Sequence, residues 1–403
     1  MKIIHIEAHH PYRLGYQLSF LAKYQKLKGH DVKIITSNIL WPPHKGYEYM
    51  LQNLLGPRIT EVGCRLENGV ITFRLGALEY KAAVFIKGLK SLLKSLEPDI
   101  IHVHHIIWNP SALFVALWKK QLGYRLIYDT HITYNNSNLK GSLLKKAIAA
   151  IFTYVAAPII KTNADYITAI GEDERYTICK EMRIPECLVK IIPLGTDTEL
   201  FKFKVDQREI IRKKYNIKDN EKLILTVGKI TVDKDFDVLL NAFGLLIQKR
   251  INAKLMIVGQ GEPRYINYLK NLSKKLKISK DVIFVGPVPL EQLPAFYSSA
   301  DIGVWTGGPT VCMRDAIACS LPIIIADNSP LGSNFTGDEL ICWGNGVTFP
   351  RGDAISLYDK MKDLITNPGL LTTMRKKAES FAREELSWEK IADKYLDLYK
   401  ILL

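Results

Sequence analysis

The sequence predicts an α/β protein of two domains in series, each with a parallel sheet that helices cover on both faces. At 403 residues, the chain is longer than a single hydrophobic core usually supports. Short β-rich runs alternate with longer helical patterns, which is typical of βαβ units. The runs Asp99–His104 and Arg125–Asp129 are apolar on both sides, as expected of strands buried between two layers of helices.

The elements follow one another in two similar series. The predicted helices of the first half are Gln17–Lys28 and Ala112–Gln121, and its strands are Lys2–Ala8, Asp31–Thr36, Asp99–His104, Arg125–Asp129 and Tyr166–Ile170. The pattern pauses at Ile191–Asp197 and then restarts with strands Lys222–Val227, Ala253–Val258, Val282–Val285, Ile302–Trp305 and Pro322–Ala326. We therefore expect domains at 1–195 and 196–385, followed by a segment at 386–403 whose apolar residues share one helical face.

Composition and charge narrow the function classes. The hydrophobic share is 47%, the charged share 24% and the formal charge +14, which is typical of a folded, basic, soluble protein. Such a charge attracts polyphosphates, anionic lipid headgroups or nucleic acid. The sequence has no aromatic RNA-binding string and no helix-turn-helix signature, so we expect no nucleic-acid partner.

The chain ends and the cysteines indicate a cytoplasmic protein. A strand-like run begins at Met1 without a signal-peptide pattern, and the six cysteines contain no C-x-x-C pair, so we expect reduced thiols. The longest apolar stretch, Ala147–Ile160, includes Pro158 and is shorter than a bilayer-spanning helix. We interpret it as a buried core helix, with an interfacial membrane helix as the alternative.

A first candidate site follows the strand Lys222–Val227. Gly228 at a turn, Lys229 and Lys234, and the free N–H groups of a helix that begins near Asp235 form a plausible diphosphate site. Two solvated lysines on a loop are the alternative. The next strand ends in Gly259-Gln-Gly261, but Arg264 replaces the third glycine of a dinucleotide fingerprint, so only a close backbone approach is expected.

Three alternating aspartates, Asp233, Asp235 and Asp237, raise the question of a metal-binding D-x-D motif. In a helix, alternate positions point away from each other. We therefore expect Asp233 or Asp235 to cap the helix, and we expect no metal there.

Histidines gather near the strand ends of the first half. They could supply a zinc hydrolase, with Glu7 or Asp129 as the partner carboxylate. Alternatively, one neutral histidine binds a substrate hydroxyl or transfers a proton. A structural role is the third interpretation. These histidines are His9, His10, His102, His104, His105 and His131.

Another candidate site follows the strand Ile302–Trp305. A Gly307-Gly308-Pro309 turn leads into a short helix, whose first N–H groups can bind an anion, and Asp315 on that helix could accept hydrogen bonds from ribose hydroxyls. A plain strand-to-helix turn is the alternative.

Taken together and in this order, the motifs resemble retaining glycosyltransferases of family 4. The resemblance implies the GT-B fold, in which two Rossmann-like domains face each other across a cleft and a C-terminal helix crosses back to the first domain. It covers nearly the whole chain. The matching segments are Pro11–Gly15, Lys28–Thr36, Asp99–His104, Asp129–His131, Ile192–Phe201, Gly228–Lys234, Asp315–Cys319 and Ser387–Tyr399.

The resemblance implies roles for particular residues. His131, Lys229 and Lys234 would be catalytic, and His104 and His105 would lie on the acceptor side. The donor-binding residues would be Gly15, Gly228, Gly261, Val288, Gly307, Gly308, Thr310, Val311 and Asp315.

This chain also departs from the family pattern. The family's E-x7-E motif would place glutamates at positions 307 and 315, where this chain has Gly307 and Asp315. Lys229 replaces an arginine, and Asp235 stands where glycine is usual. These differences affect the expected donor sugar more than the expected reaction.

The resemblance predicts a metal-independent hexosyltransferase that uses a nucleoside-diphosphate sugar and a glycan or lipid-linked acceptor. An anionic membrane surface at the inner face of the plasma membrane is a further expected partner. A GT-B-fold sugar-nucleotide epimerase, a non-catalytic nucleotide-sugar-binding partner and the zinc hydrolase remain as alternatives.

Overall fold

The computed structural model describes residues 1–12, 17–42, 52, 55–80, 83–106, 109–131, 152–307, 310–327 and 338–403. The chain forms two compact units. The first comprises Met1–Leu194 and Trp388–Leu403, and the second comprises Gly195–Ser387. Gly15, Gly308 and the 147–151 part of the apolar stretch lie outside the described residues.

The first unit contains an eight-stranded sheet and a separate hairpin. The strands are β1 (Lys2–Glu7), β2 (Asp31–Ser37), β3 (Gly63–Glu67), β4 (Val70–Leu75), the hairpin β5 (Ala77–Tyr80) and β6 (Ala83–Ile86), β7 (Ile100–His104), β8 (Arg125–Thr130), β9 (Tyr166–Ala169) and β10 (Val189–Ile191). The sheet order is β10-β9-β8-β7-β1-β2-β4-β3, and every neighbouring pair is parallel except β3 and β4.

Helices cover both faces of this sheet. Successive side chains of β1 point to opposite faces, and apolar residues occur on both, so each face needs a covering layer. Ile4 and Ile6 belong to one core cluster, whereas Ile3 packs with α1 and the chain's last helix on the opposite face. The helices are α1 (Gln17–Leu27), α2 (Leu89–Leu96), α3 (Pro110–Leu122), α4 (Ala157–Asn163), α5 (Glu172–Tyr176) and the terminal helix (Trp388–Leu402), with shorter helical turns at Phe152–Ala156, Thr177–Glu181 and Glu186–Leu188.

The second unit contains a six-stranded, all-parallel sheet in the order β13-β12-β11-β14-β15-β16. Its strands are β11 (Lys222–Val227), β12 (Ala253–Val258), β13 (Val282–Gly286), β14 (Ile302–Trp305), β15 (Ile323–Asp327) and β16 (Gly346–Pro350). Its helices are α6 (Val205–Lys214), α7 (Phe236–Gln248), α8 (Pro263–Lys275), α9 (Leu293–Ser299), α10 (Val311–Ala318), α11 (Asp338–Ile341), α12 (Ala354–Ile365) and α13 (Pro368–Phe381), with shorter turns at Val232–Lys234, Leu290–Gln292 and Ala382–Leu386.

The prediction of two α/β units with parallel sheets is confirmed, and the predicted strands occur with small shifts at their ends. The terminal helix returns to the first unit, as the resemblance implies. Trp388 stacks on Phe20 of α1 at 5.3 Å between ring centroids, and Ile391 and Tyr395 are fully buried. Within the described residues, no helix combines the length and apolar composition needed to cross a bilayer.

We predict that Ile391→Ala destabilises the first unit by about 2–5 kcal/mol, because the substitution leaves a cavity under the terminal helix. Urea unfolding followed by tryptophan fluorescence measures the change. Ile401→Ala on the same helix is the matched control, since Ile401 is exposed, and it should change the free energy of unfolding by less than about 0.5 kcal/mol. Equal effects of the two substitutions would contradict the docking of this helix.

Candidate functional site

In the second unit, the segments that follow β11 and β12 lie backbone to backbone. The Gly228 amide donates to the Val258 carbonyl at 3.0 Å, and the Ile230 amide donates to the Gln260 carbonyl at 2.8 Å. A Cβ atom on Gly261 would lie 2.1 Å from the Ile230 carbonyl oxygen, which no side chain tolerates. The expected close backbone approach at Gly261 is therefore confirmed.

Lys234 and Gly307 are in direct contact beside these segments. The Lys234 carbonyl accepts a hydrogen bond of 2.6 Å from the Thr306 hydroxyl. A Cβ atom on Gly307 would lie 2.5 Å from Lys234 Cδ and 2.8 Å from Lys234 Cα. A glutamate at position 307 is thus incompatible with this placement of Lys234, whereas glycine allows it. Lys229, which follows Gly228, is exposed.

Asp235 precedes α7 but does not cap it with its side chain, so the predicted helix cap is wrong. Its backbone is left-handed, with φ of 51°, whereas a capping residue usually has extended backbone angles. The Asp235 carboxylate instead accepts from Arg351 Nε at 2.6 Å. The left-handed backbone also explains why glycine suits this position. Asp233 makes no cap either, since Asp235 occupies the cap position of α7.

Asp315 lies on α10, the helix that begins after Thr310. Its carboxylate is buried and accepts a hydrogen bond of 2.7 Å from the Thr196 hydroxyl. Burial raises the pKa of Asp315 to about 7, although the Thr196 hydrogen bond and the charge of Arg314 act in the opposite direction. Val311 is exposed at the start of the helix, and Val288, which follows β13, is partly buried against the core. The donor contacts predicted for these residues stay predictions.

In the first unit, Asp129 organises the carboxyl ends of β7 and β8. One carboxylate oxygen lies 2.6 Å from His104 Nδ1, and the other accepts from the backbone amide of His105 at 3.2 Å. The second bond holds His105 in the left-handed region, with φ of 63°. Asp129 is fully buried, yet its neighbouring histidines keep its pKa well below the usual value.

A chain of hydrogen bonds runs from Asp129 into the core. Asp129 accepts from His104 Nδ1, and the other ring nitrogen, His104 Nε2, lies 3.0 Å from His5 Nδ1. Burial lowers the pKa of His5 to about 3, so His5 is neutral. Its Nε2 atom donates to Gln25 Oε1 at 2.7 Å, and the Gln25 side-chain nitrogen donates to the Tyr399 hydroxyl at 3.4 Å.

Glu7, His105 and His131 form a second group at the same strand ends. Glu7 Oε1 lies 3.5 Å from His105 Nε2, and the rings of His105 and His131 are 5.1 Å apart in an edge-to-face arrangement. Burial opposes the charged form of His105, but Glu7 and Asp129 outweigh it and raise the pKa of His105. Burial lowers the pKa of His131 to about 4, so this histidine is neutral.

The arrangement of the buried histidines bears on the zinc-hydrolase alternative. His5, His102 and His104 bring their ring nitrogens within 4.8 Å of one another. However, the rings of His102 and His104 stack at 4.4 Å with 28° between their planes. A metal ion lies near the plane of each imidazole that binds it, so stacked rings do not direct their lone pairs to one point. His9 and His10 also belong to the predicted group of histidines. His9 contacts the Glu79 carboxylate, and His10 contacts the Glu7 carboxylate.

Family comparisons identify the chain. A model described as Glycosyltransferase Family 4 matches residues 16–200, and one described as Glycosyl transferases group 1 matches residues 207–382, so together they cover about nine tenths of the sequence. The chain belongs to the family 4 glycosyltransferases. Its fold is the GT-B fold of this family, as its similarity to solved structures also indicates.

Individual relatives of this glycosyltransferase are distant. It is 26% identical to an uncharacterized glycosyltransferase of Methanocaldococcus jannaschii, over 59% of this chain and 60% of that protein. It is 23% identical to a GDP-mannose-dependent alpha-(1-6)-phosphatidylinositol monomannoside mannosyltransferase of Mycolicibacterium smegmatis, over 72% of this chain and 74% of that protein. The structure of Anabaena Alr3699/HepE in complex with UDP matches with a TM-score of 0.73 and 14% identity, covering both chains completely.

Several residues that shape these sites escaped the sequence analysis. Thr196, which donates to Asp315, lies in the matching segment Ile192–Phe201, but the sequence does not indicate its hydrogen-bond partner. His5 was overlooked because it lies within an apolar strand. Its register opposite His102 was the available signal, since paired positions on adjacent strands share a face.

We predict that Asp315→Asn stabilises the glycosyltransferase more at pH 8 than at pH 5. A carboxyl whose folded pKa is raised from 3.8 to about 7 loses stability as pH rises through that window, by about 4 kcal/mol at most. The uncharged amide does not titrate, so its advantage should grow between these pH values. Urea unfolding at both pH values tests this. The exposed Asp359→Asn control should show no such difference, and equal gains for Asp315→Asn at both pH values would contradict the raised pKa.

Proposed function

We propose that this glycosyltransferase transfers a hexose-type sugar, with retention of configuration, from a nucleoside-diphosphate sugar to a hydroxyl of a glycan or lipid-linked acceptor. The observation that carries the proposal is the packing of Lys234 against Gly307. This contact lies beside the Gly228 turn, and Gly307 shortly precedes α10 in the sequence. Cationic groups and the free N–H groups of a helix start are suited to a diphosphate.

The roles proposed for the residues follow from the negative charge that develops on the departing nucleoside diphosphate. The bond between the sugar C1 and the diphosphate oxygen breaks, and negative charge accumulates on the departing nucleoside diphosphate. The acceptor hydroxyl oxygen bonds to C1 from the same face, and its proton passes to an oxygen of the departing diphosphate. Lys229 and Lys234 stabilise the leaving charge, together with the backbone N–H groups of Gly307 and Thr310. Because these groups supply the compensating positive charge, the proposed reaction needs no metal ion.

His131 is the proposed contact to the transferred sugar or to the acceptor. Its lowered pKa keeps the ring neutral near pH 7, and a neutral imidazole can both donate and accept a hydrogen bond. His104 and His105 are proposed to belong to the acceptor side. His105 lies beside the negative charge of Glu7, whereas His131 is neutral.

The acceptor class is supported by the chain's basic charge and by the relative whose name specifies a phosphatidylinositol monomannoside. A lipid-linked acceptor would place the protein at the inner face of the plasma membrane, bound peripherally. A screen of UDP-, GDP- and ADP-sugars for binding identifies the donor. Conversion of the bound donor without any acceptor would instead identify an epimerase.

We predict that Lys234→Ala lowers the rate of transfer about a hundredfold or more while the protein remains folded, because one stabiliser of the leaving charge is lost. The measurement is product formation with the donor selected by the screen, alongside circular dichroism. Lys249→Ala is the matched control, since Lys249 is an exposed lysine at the opposite end of α7. Near-normal turnover by the Lys234→Ala enzyme would overturn the proposed role.

We predict that His131→Ala lowers kcat more than it weakens donor binding, because the ring is proposed to act on the sugar or acceptor and not on the diphosphate. Steady-state kinetics with titration calorimetry of the donor separates the two effects. Lys234→Ala should lower kcat and also weaken donor binding, because its ammonium is proposed to contact the diphosphate in both the bound donor and the departing group. Unchanged kinetics after His131→Ala would remove this residue from the site.

A further inference from the structure

An apolar patch is exposed on the first unit, around the β5–β6 hairpin. Leu78 and Tyr80 are 59% and 74% exposed, and they lie on the same face of β5 because they are two residues apart. Phe85 on β6 pairs directly with Leu78. Val84 and Ile86, the alternate residues of β6, are buried, so the hairpin has one core face and one exposed apolar face.

The exposed face continues onto α3 through aromatic contacts. The rings of Phe85 and Phe114 are 5.5 Å apart, and those of Phe114 and Trp118 are 5.8 Å apart. Leu117 on the same helix is 52% exposed. We call this connected surface the hairpin patch, and it consists of Leu78, Tyr80, Phe85, Phe114, Leu117 and Trp118.

Lysines border the hairpin patch on the side of α2. The Lys90 ammonium lies 5.6 Å from the Trp118 ring centroid, and Lys94 lies one turn further along the same helix. Lys87 precedes α2 and Lys120 lies near the end of α3, and all four of these lysines are exposed. Over residues 83–96 of β6 and α2, the charged side chains are lysines only.

We propose that the hairpin patch is a docking surface for an anionic phospholipid membrane. Exposed aliphatic and aromatic side chains can enter the boundary between headgroups and acyl chains, where tyrosine and tryptophan are favoured. The flexible lysine side chains reach the phosphate groups of the headgroups. The inference deepens the proposed lipid-linked acceptor, and it rests on that proposal only for its biological use.

The cations favour a lipid surface over a protein partner. Protein interfaces are enriched in aromatic residues and arginine but depleted in lysine. Among the described residues of β6 and α2 and the turn between them, the exposed cations are Lys87, Lys90 and Lys94, and all three are lysines. A membrane surface, in contrast, attracts any flexible cation through its diffuse negative potential.

Co-sedimentation of the full chain with vesicles, without donor or acceptor, tests the docking surface. The wild type should bind phosphatidylcholine vesicles that contain phosphatidylglycerol at low salt. It should bind pure phosphatidylcholine vesicles far more weakly, and salt at about 0.5 M should weaken anionic binding. Leu78→Ser/Tyr80→Ser/Leu117→Ser should lower binding about tenfold or more, and Lys87→Glu/Lys90→Glu/Lys94→Glu about a hundredfold or more.

Matched variants distinguish vesicle binding through the hairpin patch from nonspecific binding through other exposed residues. Ile355→Ser/Ile401→Ser removes exposed apolar side chains elsewhere, and Lys213→Glu/Lys274→Glu/Lys280→Glu makes the same change of charge in the second unit. Both controls should bind anionic vesicles like the wild type. Equal losses in patch and control variants, or no wild-type binding at low salt, would overturn the inference. Vesicle binding without sugar transfer would support the docking surface while counting against the proposed function.

Discussion

Asp129 is a carboxylate buried at the end of a parallel sheet, and an ionised group there is unfavourable unless polar or charged neighbours compensate it. Its partners are His104 and the backbone amide of His105. The first bond places a proton on His104 Nδ1, and further contacts link His104 through His5 to Gln25. The second sets the left-handed turn that presents His105 beside Glu7. One buried charge thus orders both the core network and the exposed strand ends.

The same network fastens the terminal helix. His102 Nδ1 lies 2.7 Å from the Tyr399 hydroxyl, and the Tyr395 hydroxyl contacts both Gln17 and Thr168. The two tyrosine hydroxyls give hydrogen-bond partners to His102 Nδ1, to the Gln17 side-chain nitrogen and to the Thr168 hydroxyl, and buried polar atoms need such partners. Apolar packing, for example of Ile391, gives the helix its stability, while the directional bonds set its position along the sheet. The placement of the last sixteen residues and the geometry of the strand ends are therefore parts of one arrangement.

Sequence reasoning succeeded where the pattern is local and repeated. Strands such as Lys222–Val227 are continuous apolar runs, so their positions follow from composition alone. It missed β3–β6, where exposed apolar residues such as Leu66 and Leu78 blur the alternation between buried and solvated faces. It also misjudged Asp235, because the choice between capping and pairing depends on Arg351, which is 116 residues away in sequence. Long-range partners of this kind leave no local signal.

The contact between Gly307 and Lys234 shows how one departure from a family pattern constrains others. With glycine at 307, the backbone of Lys234 approaches closely, and the Thr306 hydroxyl binds its carbonyl. A glutamate there would restore an acidic group but displace the lysine that is proposed to hold the diphosphate. The other acidic position of the motif, Asp315, is buried and accepts a hydrogen bond from Thr196. The absence of a carboxylate at position 307 is therefore coupled to the close packing of Lys234, and a lysine with backbone N–H groups suits the diphosphate proposed for this part of the second unit.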